Sequence, residues 1–426
     1  MGEAFRHVAK YLGYSVVDIN GPTITGFATP QGTIRNGARC STAKAFLRPV
    51  RHRQNLHIVT FAHVTRVLIE SFEKRAIAVE FDRFSLRHIV YVRREIILSA
   101  GSVNSPQILM LSGIGPREHL NAFGIEIIQH LPGVGENLQD HIYPGGIHFT
   151  VRNTYPPLTF SFEKTFNSGN LVKYFTKGRG PLTALGGLEG LAFVNTKFAN
   201  ASEDWPDIEI HFSSATITTD SARTLRQYMG ITERVIQQVY FPYYSRDSFS
   251  IHPVLLRPKS RGWIRLRSAN PHDPVRINPN YLSHPDDIYT IVEGMKIAYA
   301  IGQSLPLRVF DSKPFQTLFP GCEFYGFLSD EYLACVARTF TSTIYHPVGT
   351  CKMGSSADRF AVVDPELRVH GIQNLRVADG SIMPTIVSGN TNAPIIMIGE
   401  KVSDLIKKKW ALKRRFISYF PFYYRK

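Results

Sequence analysis

The segment REIILSAGSVNSPQILMLSGIGP, residues 94–116, carries the clearest signal of fold class in this chain. It begins with a short apolar run that ends in small residues at Ala100 and Gly101. After Ser105 and Pro106, apolar side chains recur at the spacing of a helix. This pattern predicts a buried parallel strand that turns tightly into a helix. Because such turns face the ligand crevice of open α/β sheets, we expect an α/β lobe with a ligand site here.

The part of the chain before this segment shows strand-like alternation of apolar and polar residues. Short strands are predicted over residues 57–61, 64–69, 76–81 and 89–92. The first residues lack the apolar core of a secretory signal. Phe5, Val8 and Leu12 instead share one face of a predicted amphipathic helix.

The C-terminal stretch returns to the α/β pattern. Residues 375–378 predict a short strand that ends in Asp379-Gly380-Ser381. An irregular loop follows over residues 388–393, and Pro394 is expected to begin an amphipathic helix. The α/β lobe is therefore expected to be built from both ends of the chain.

The central part of the chain has a different character, because Pro and Gly punctuate a series of short apolar runs. Antiparallel strands are predicted over residues 147–151, 191–194, 208–212, 249–256 and 262–267. A helix is predicted after Pro285-Asp286-Asp287, whose acidic side chains suit a helix N-terminus. We expect a discontinuous α/β lobe, an inserted lobe and a basic aromatic tail, with the ranges 1–144 and 345–410, 145–344, and 411–426.

The composition of the 426 residues is globular and argues against several classes of function. No apolar run is long enough to span a membrane. The net charge of +15 comes without a nucleic-acid-binding motif, so no nucleic-acid partner is expected. The four cysteines are far apart, which argues against a structural zinc site or a disulfide scaffold and leaves the redox compartment open. His52, His57 and His63 lack the spacing of metal ligands, so no metal is expected.

The localisation of the chain is left open by its sequence. The glycosylation sequon at Asn200 is equally compatible with secretion and with chance, although an extracellular location would suit a longer parent protein. Residues 407–426 carry eight Lys or Arg side chains and no acid, interleaved with Trp410 and six other aromatic residues. A solvated tail is the simpler interpretation, and weak contact with an anionic membrane surface is a minor hypothesis. A basic surface-binding protein that acts through this tail is one alternative to an enzyme.

Three blocks of the sequence stand out by their length and order. The first is residues 100–116, and the second is PGVGENLQDH, residues 132–141. The third runs from YHPVGTCKMG, residues 345–354, through Val363-Asp364-Pro365 to the loop at Asn390. Together they resemble the glucose–methanol–choline (GMC) oxidoreductase family, and most closely its glucose dehydrogenase branch. The resemblance covers nearly the whole chain.

This resemblance implies a flavoprotein dehydrogenase that uses FAD to oxidise CH–OH donors. Its substrate would be an alcohol or a sugar, and its electron acceptor a quinone or another oxidant. A hydride would pass to flavin N5 while a base takes the hydroxyl proton. His346 matches the family's catalytic His, and imidazole titrates near neutrality, as a base should. Asn390 matches the second active-site position, where an amide can donate a hydrogen bond to the substrate oxygen but cannot act as a base.

The same resemblance implies an FAD site built from several segments. Val64 would contact adenine through its backbone, although a strand core residue is the rival interpretation. Ala100 and Gly101 would line the adenosine, and Asp379 and Gly380 would lie near the ribityl chain and the pyrophosphate.

The flavin ring would lie at the other end of this site. Thr391 and Asn392 would be next to its pyrimidine ring by resemblance to the family. The N-terminus of the helix that starts near Pro394 would stabilise the negative charge of reduced flavin.

One element of the family pattern is absent from this sequence. A Gly-x-Gly-x-x-Gly fingerprint after a first strand should open such proteins, and Gly133-Val134-Gly135 fails as one because Leu138 replaces the third Gly. The sequence thus predicts an incomplete, Rossmann-like α/β FAD-binding lobe plus an α+β substrate lobe with an antiparallel sheet. The first βαβ unit is expected to be missing by N-terminal truncation. The alternative is a truncated, non-catalytic remnant that does not hold FAD.

Overall fold

The structure is a computed structural model that describes residues 1–154, 157–200, 202–220, 225–244 and 246–417. Its α-helices are α1 (Gly2–Tyr11), α2 (Gly101–Leu111), α3 (Arg117–Asn121), α4 (Phe162–Thr165), α5 (Ser168–Lys177), α6 (Leu225–Met229), α7 (Glu233–Val235), α8 (Pro285–Gly302), α9 (Leu305–Arg308), α10 (Asp330–Thr339) and α11 (Asn392–Ile417). Within the described residues, no helix combines the length and apolar character needed to cross a bilayer.

The β-strands are distributed along the chain between these helices. They are β1 (Gly26–Ala28), β2 (Ile34–Arg35), β3 (Ala38–Arg39), β4 (His63–Glu70), β5 (Arg75–Arg83), β6 (Leu86–Tyr91), β7 (Ile96–Leu98), β8 (Ile114–Gly115), β9 (Gln129–His130), β10 (Ile142–Pro144), β11 (His148–Thr150), β12 (Leu188–Val194), β13 (Ile208–Ser213), β14 (Ser248–Leu255), β15 (Trp263–Arg265), β16 (Arg276–Asn278), β17 (Lys313–Pro314), β18 (Thr341–Thr343) and β19 (Leu375–Val377).

The chain forms two compact units, and each is built from separated segments. The first unit contains residues 1–56, 141–259 and 282–344, and the second contains residues 57–140, 260–281 and 345–426. This division differs from the expected one at two places. Residues 1–56 lie in the unit with the antiparallel sheet, because β1 pairs with β12. Residues 260–281 lie in the other unit, because β15 pairs with β16 and its Ile264 packs with Leu138.

The first unit is organised around a six-stranded sheet in the order β1-β12-β13-β14-β11-β17, in which all neighbours are antiparallel. Phe149 and Phe249 stack on one face of this sheet, with ring centroids 5.2 Å apart. Helix α8 covers that face and can approach closely because Gly302 has no side chain: a Cβ there would lie 2.1 Å from the Phe149 ring. The helix begins where Nδ1 of His284 accepts the Asp286 N–H at 3.2 Å.

The first unit also contains a disulfide bond between Cys322 and Cys335. The spacing of the cysteines did not predict this pair. The bond closes a loop of 13 residues, and α10 carries Cys335. Cys40 and Cys351 are free thiols, and burial raises the pKa of Cys351.

The second unit has the α/β character that the sequence predicted. Strands β7 and β19 are parallel, as are β8 and β9, and α2 packs over a core that also includes the three-stranded sheet β4-β5-β6. The strand predicted over residues 57–61 does not form. Ile58 and Phe61 are more than half exposed, and Phe61 has a φ of 55°, which is incompatible with an extended strand.

A buried ion pair fixes α11 to the second unit. Glu95 is 3% exposed and accepts hydrogen bonds from Arg376 Nε at 2.9 Å and Trp410 Nε1 at 2.7 Å. Burial alone would raise the pKa of Glu95, but the bonds from Arg376 and Trp410 and the charge of Lys409 lower it overall. Trp410, which the sequence analysis counted with the basic aromatic segment at the C-terminus, is therefore part of this anchor. Helix α11 continues to Ile417, and residues 418–426 lie outside the described residues.

Candidate active site

The candidate site begins at the carboxyl ends of β7 and β19. Their parallel register brings these ends to one edge, where the Ala378 N–H donates to Leu98 O at 2.8 Å and the Ser99 hydroxyl donates to Ala378 O at 3.0 Å. Helix α2 starts directly beyond, at Gly101. The two strands thus converge where the sequence predicted a ligand site.

Asp379 connects the two strand ends. Its Oδ2 accepts the Gly101 N–H at 2.9 Å and the Ser105 hydroxyl at 2.6 Å, and its Oδ1 accepts the Ser381 N–H at 2.8 Å. The carboxylate is 5% exposed and caps the N-terminus of α2, where an anion is favoured. The structure therefore brings Ala100 and Gly101 together with Asp379 and its neighbour Gly380.

The segment after His346 runs alongside the segment after Asp379. The Gly349 N–H donates to Gly380 O at 3.2 Å, and two further bonds of 2.8 and 2.7 Å continue the ladder from Cys351 to Ser381 and from Met353 to Ile382. This ladder joins the candidate catalytic segment directly to the candidate FAD-binding segment.

His346 itself lies between a backbone bend at Tyr345 and Pro347. It is partly buried, and its backbone N–H donates to Asp140 Oδ1 at 3.0 Å. Asn390 is exposed on the loop before α11. That helix begins at Asn392, two residues earlier than Pro394.

The remaining predicted residues occupy two other positions. Thr391 is 4% exposed, and its carbonyl accepts the Ile395 N–H at 3.1 Å at the start of α11. Val64 lies on β4 in the separate three-stranded sheet, opposite Phe81, where it packs against the core of the second unit.

Sequence reasoning assigned no role to Gln139 and Asp140, although both lie in the second block of the resemblance. Gln139 is 2% exposed and Asp140 is 6% exposed, and both bond to the segments that carry His346 and Asn390. The burial of this polar pair is evident only in the folded chain, so the sequence held no signal for it beyond its place in the second block.

The residues at this edge fit a cofactor that carries hydroxyl and phosphate groups. A Cβ at Gly101 would find no atom within 4 Å, and its φ of 81° requires glycine, so the backbone is open to close approach. The buried hydroxyl of Ser102, next in the chain, has no hydrogen-bond partner among the described residues. Among the described residues, no cluster of His, Cys, Asp or Glu has the arrangement of a metal site.

The first unit contains a cavity of about 180 Å³ on the polar side of its sheet. His148 lies in its wall, with Nδ1 3.1 Å from the Ser250 hydroxyl and Nε2 3.1 Å from the Tyr240 hydroxyl. Burial lowers the pKa of His148 to about 3, and burial followed by the nearby histidines lowers that of His252 to about 3. Both imidazoles are thus neutral at physiological pH, and the described lining residues include no Asp, Glu, Lys or Arg.

Comparison with known sequences gives consistent matches. Two family models, both described as GMC oxidoreductase, match residues 1–143 and 258–399. Glucose dehydrogenase (FAD, quinone) of Drosophila melanogaster is 40% identical over 412 residues, 96% of this chain and 62% of the relative. Mitochondrial choline dehydrogenase of Mus musculus is 37% identical over 415 residues, 96% of this chain and 64% of the relative. An uncharacterized GMC-type oxidoreductase of Mycobacterium tuberculosis is 38% identical, covering 95% of this chain and 70% of the relative.

The chain thus spans about 62% of the length of the glucose dehydrogenases that it matches. Solved structures give the same picture of the fold. A formate oxidase variant of Aspergillus oryzae matches with a TM-score of 0.78 and 25% identity, covering 96% of this chain and 70% of the other. An FAD-dependent oxidoreductase of Chaetomium thermophilum matches with a TM-score of 0.75 and 26% identity, covering 96% and 72%.

Proposed function

Because the chain belongs to the GMC oxidoreductase family, we propose that it carries the reacting groups of an FAD-dependent enzyme that oxidises alcohols or sugars. The observation that best supports this is the hydrogen-bonded ladder between Gly349–Met353 and Gly380–Ile382. It fixes the segment of the proposed base against the proposed FAD-binding segment through backbone atoms alone. A quinone is the proposed electron acceptor, by similarity to the glucose dehydrogenases.

In this proposal the protein's own groups control the proton and the substrate oxygen. His346 takes the hydroxyl proton of the substrate, and Asn390 donates an amide hydrogen bond to the oxygen as negative charge develops on it. FAD, when bound, supplies the two-electron acceptor for the hydride of the carbinol carbon, so that the alcohol becomes a carbonyl. Asn390 has no group that can take a proton, which leaves His346 as the base of the pair.

The proposed cofactor contacts come from the strand ends and from the N-terminus of α11. Small residues and a helix terminus suit close approach of a phosphorylated cofactor and its negative charge. The residues proposed to hold FAD are Val64, Ala100, Gly101, Asp379, Gly380, Thr391 and Asn392.

The cavity of the first unit supports an uncharged, hydroxylated substrate. Its neutral imidazoles at His148 and His252 and its hydroxyls at Ser250 and Tyr143 can donate and accept hydrogen bonds, while no carboxylate faces a cation. A volume of about 180 Å³ is below the roughly 300–1,000 Å³ typical of sites for drug-sized ligands. We therefore propose that this cavity accepts a small uncharged alcohol or sugar in preference to the quaternary ammonium of choline.

The test is turnover of glucose, a primary alcohol and choline by FAD-loaded protein with a quinone acceptor. His346→Gln should lower kcat at pH 7 by about 10²–10⁴-fold, because the general base is lost. Asn390→Asp should slow reduction of the bound flavin in a single turnover, because an anion would face developing negative charge.

His370→Gln is the matched control for the base. His370 lies in the same unit, and its Nε2 is 3.1 Å from Gly354 O, so this variant reports the effect of losing a histidine that holds backbone. Less than about a tenfold loss in His346→Gln would show that His346 is not the base. A higher kcat/KM for choline than for either uncharged substrate would reject the proposed substrate class.

A further inference from the structure

The dipeptide Gln139-Asp140 lies between the two segments that carry the proposed catalytic residues. We call residues 345–349 the His346 loop and residues 384–391 the Asn390 loop. The backbone of Gln139 pairs with Val348 in both directions, at 3.0 and 2.9 Å. The side chains of the dipeptide then diverge, one toward each loop.

The carboxylate of Asp140 binds the His346 loop. Its Oδ1 accepts the backbone N–H of His346 at 3.0 Å, and its Oδ2 accepts the hydroxyl of Tyr281 at 2.5 Å. Asp140 is 6% exposed, and hydrogen bonds in such a buried site are stronger than they are in water. Asp140 therefore fixes the position of the His346 backbone.

The His346 loop needs such support because its backbone is strained. Tyr345 has a φ of 65°, a left-handed conformation that L-residues other than Gly, Asn and Asp rarely adopt. Its side chain is 74% exposed. Pro347 limits the backbone on the other side of His346. The hydrogen bond that the His346 N–H donates to Asp140 thus lies between a strained residue and a rigid one.

The side chain of Gln139 binds the Asn390 loop. Its Oε1 accepts the Ile386 N–H at 3.2 Å, and its Nε2 donates to Pro384 O at 3.1 Å. Asn137 adds a link between both loops, since its Nδ2 lies 3.2 Å from Gly349 O and 3.2 Å from Pro384 O. One short segment therefore holds both loops.

We propose that Gln139 and Asp140 are positioning residues that hold the loops of His346 and Asn390 in register for catalysis, with Gln139 acting on the second loop and Asp140 on the first. The catalytic part of this inference rests on the proposed function. The separate effects of the two side chains on the two loops do not rest on it, and they can be measured in the full chain without FAD.

Hydrogen–deuterium exchange of the full chain separates the two roles. Asp140→Ala should raise exchange in the His346 loop about tenfold, and leave the Asn390 loop within about twofold of the parent. Gln139→Met should raise exchange in the Asn390 loop about tenfold and leave the His346 loop within about twofold of the parent. Tenfold corresponds to the loss of one buried hydrogen bond of about 1.4 kcal/mol. If Asp140→Ala does not fold, Asp140→Asn should give the same selectivity with a smaller increase.

Asp207→Ala is a matched control in the first unit. Asp207 is 8% exposed and also accepts one backbone N–H and one hydroxyl, both from Thr196, at 2.9 and 2.5 Å. The Asp207→Ala variant should leave amide exchange in the His346 loop and in the Asn390 loop unchanged. A similar increase in exchange across the whole second unit in either test variant would mean a general structural role and would overturn the proposal. Unchanged exchange in the expected loop would also overturn it.

The catalytic consequence has its own readout. Asp140→Ala should lower kcat about tenfold or more while KM changes by less than about threefold, because the base is misplaced and substrate contacts remain. Tyr345→Gly in that background should recover about tenfold, since glycine adopts the left-handed backbone without strain. No recovery, or an effect on KM alone, would overturn the positioning role. Absence of turnover in the parent would reject the proposed function and leave the exchange experiment to decide this inference.

Discussion

Acidification should destabilise the first unit through His148. The imidazole is 5% exposed, and burial lowers its pKa from the ordinary 6.5 to about 3. The unfolded chain binds the proton more readily between these two values. The free energy of unfolding should therefore fall by about 1.4 kcal/mol per pH unit below pH 6.5. The full contribution is present above pH 6.5, and about 5 kcal/mol is lost by pH 3.

The variant His148→Gln removes this titration and keeps a polar side chain. At pH 7 it should be less stable than the parent by about 2 kcal/mol, since it loses one of two buried hydrogen bonds and some packing. The parent loses about that amount by pH 5, so the two proteins should be equally stable there. At pH 4 the variant should be the more stable by about 1.4 kcal/mol. Titrating groups common to both proteins cancel in the difference.

The assay is amide exchange of β11 and β14 between pH 7 and pH 4, corrected for intrinsic exchange. This local measure is needed because a chain of two units does not have one well-defined free energy of unfolding. His52→Gln, at an exposed residue of the same unit, is the control for replacing a histidine by Gln outside the buried cavity. A constant difference between His148→Gln and the parent over this range would refute the reasoning.

Two further predictions concern stability. Cys335→Ser should lower the free energy of unfolding of the first unit by roughly 3 kcal/mol for a loop of this size, and so lower its urea midpoint. Reductant should then have no further effect. An unchanged midpoint would mean that the bond to Cys322 does not constrain the unfolded chain. Glu95→Gln should leave the buried Arg376 without its charge partner and loosen α11 by about 3–5 kcal/mol in amide exchange, whereas Asp404→Asn, in an exposed pair, should leave that exchange close to the parent's; equal effects would contradict the anchor.

The elements that the sequence predicted correctly are those that a local pattern determines. The apolar run before Ala100 and the run before Asp379 each read as a buried strand, and both form in the parallel pair β7 and β19. The helix after Pro285 likewise follows from its acidic first turn and its capping residue. In each case the residues that define the element are neighbours in the chain, so one sequence contains the whole signal.

The features that the sequence did not predict depend on distant partners. Residues 1–56 join the first unit because β1 pairs with β12, more than 160 residues later, and because Phe5 of α1 stacks on Phe212. The bond between Cys322 and Cys335 depends on how α10 packs, which the spacing of cysteines does not encode. The run at residues 57–61 has strand-like composition, but β-propensity reflects packing against neighbouring strands, and these side chains remain exposed.

The candidate site shows why recognising a motif is not the same as assigning its roles. The second block stood out as a sequence motif, yet its side chains bond to distant residues. Asp140 bonds to His346, 206 residues away, and Gln139 bonds to Ile386, 247 residues away. Only the folded chain brings these atoms together. Because both contacts are made to backbone N–H groups, the identities of the contacted residues leave no trace in composition or spacing. In our proposal, Gln139 and Asp140 position the proposed base without taking part in its chemistry. Their contribution becomes visible through the geometry of the folded chain alone.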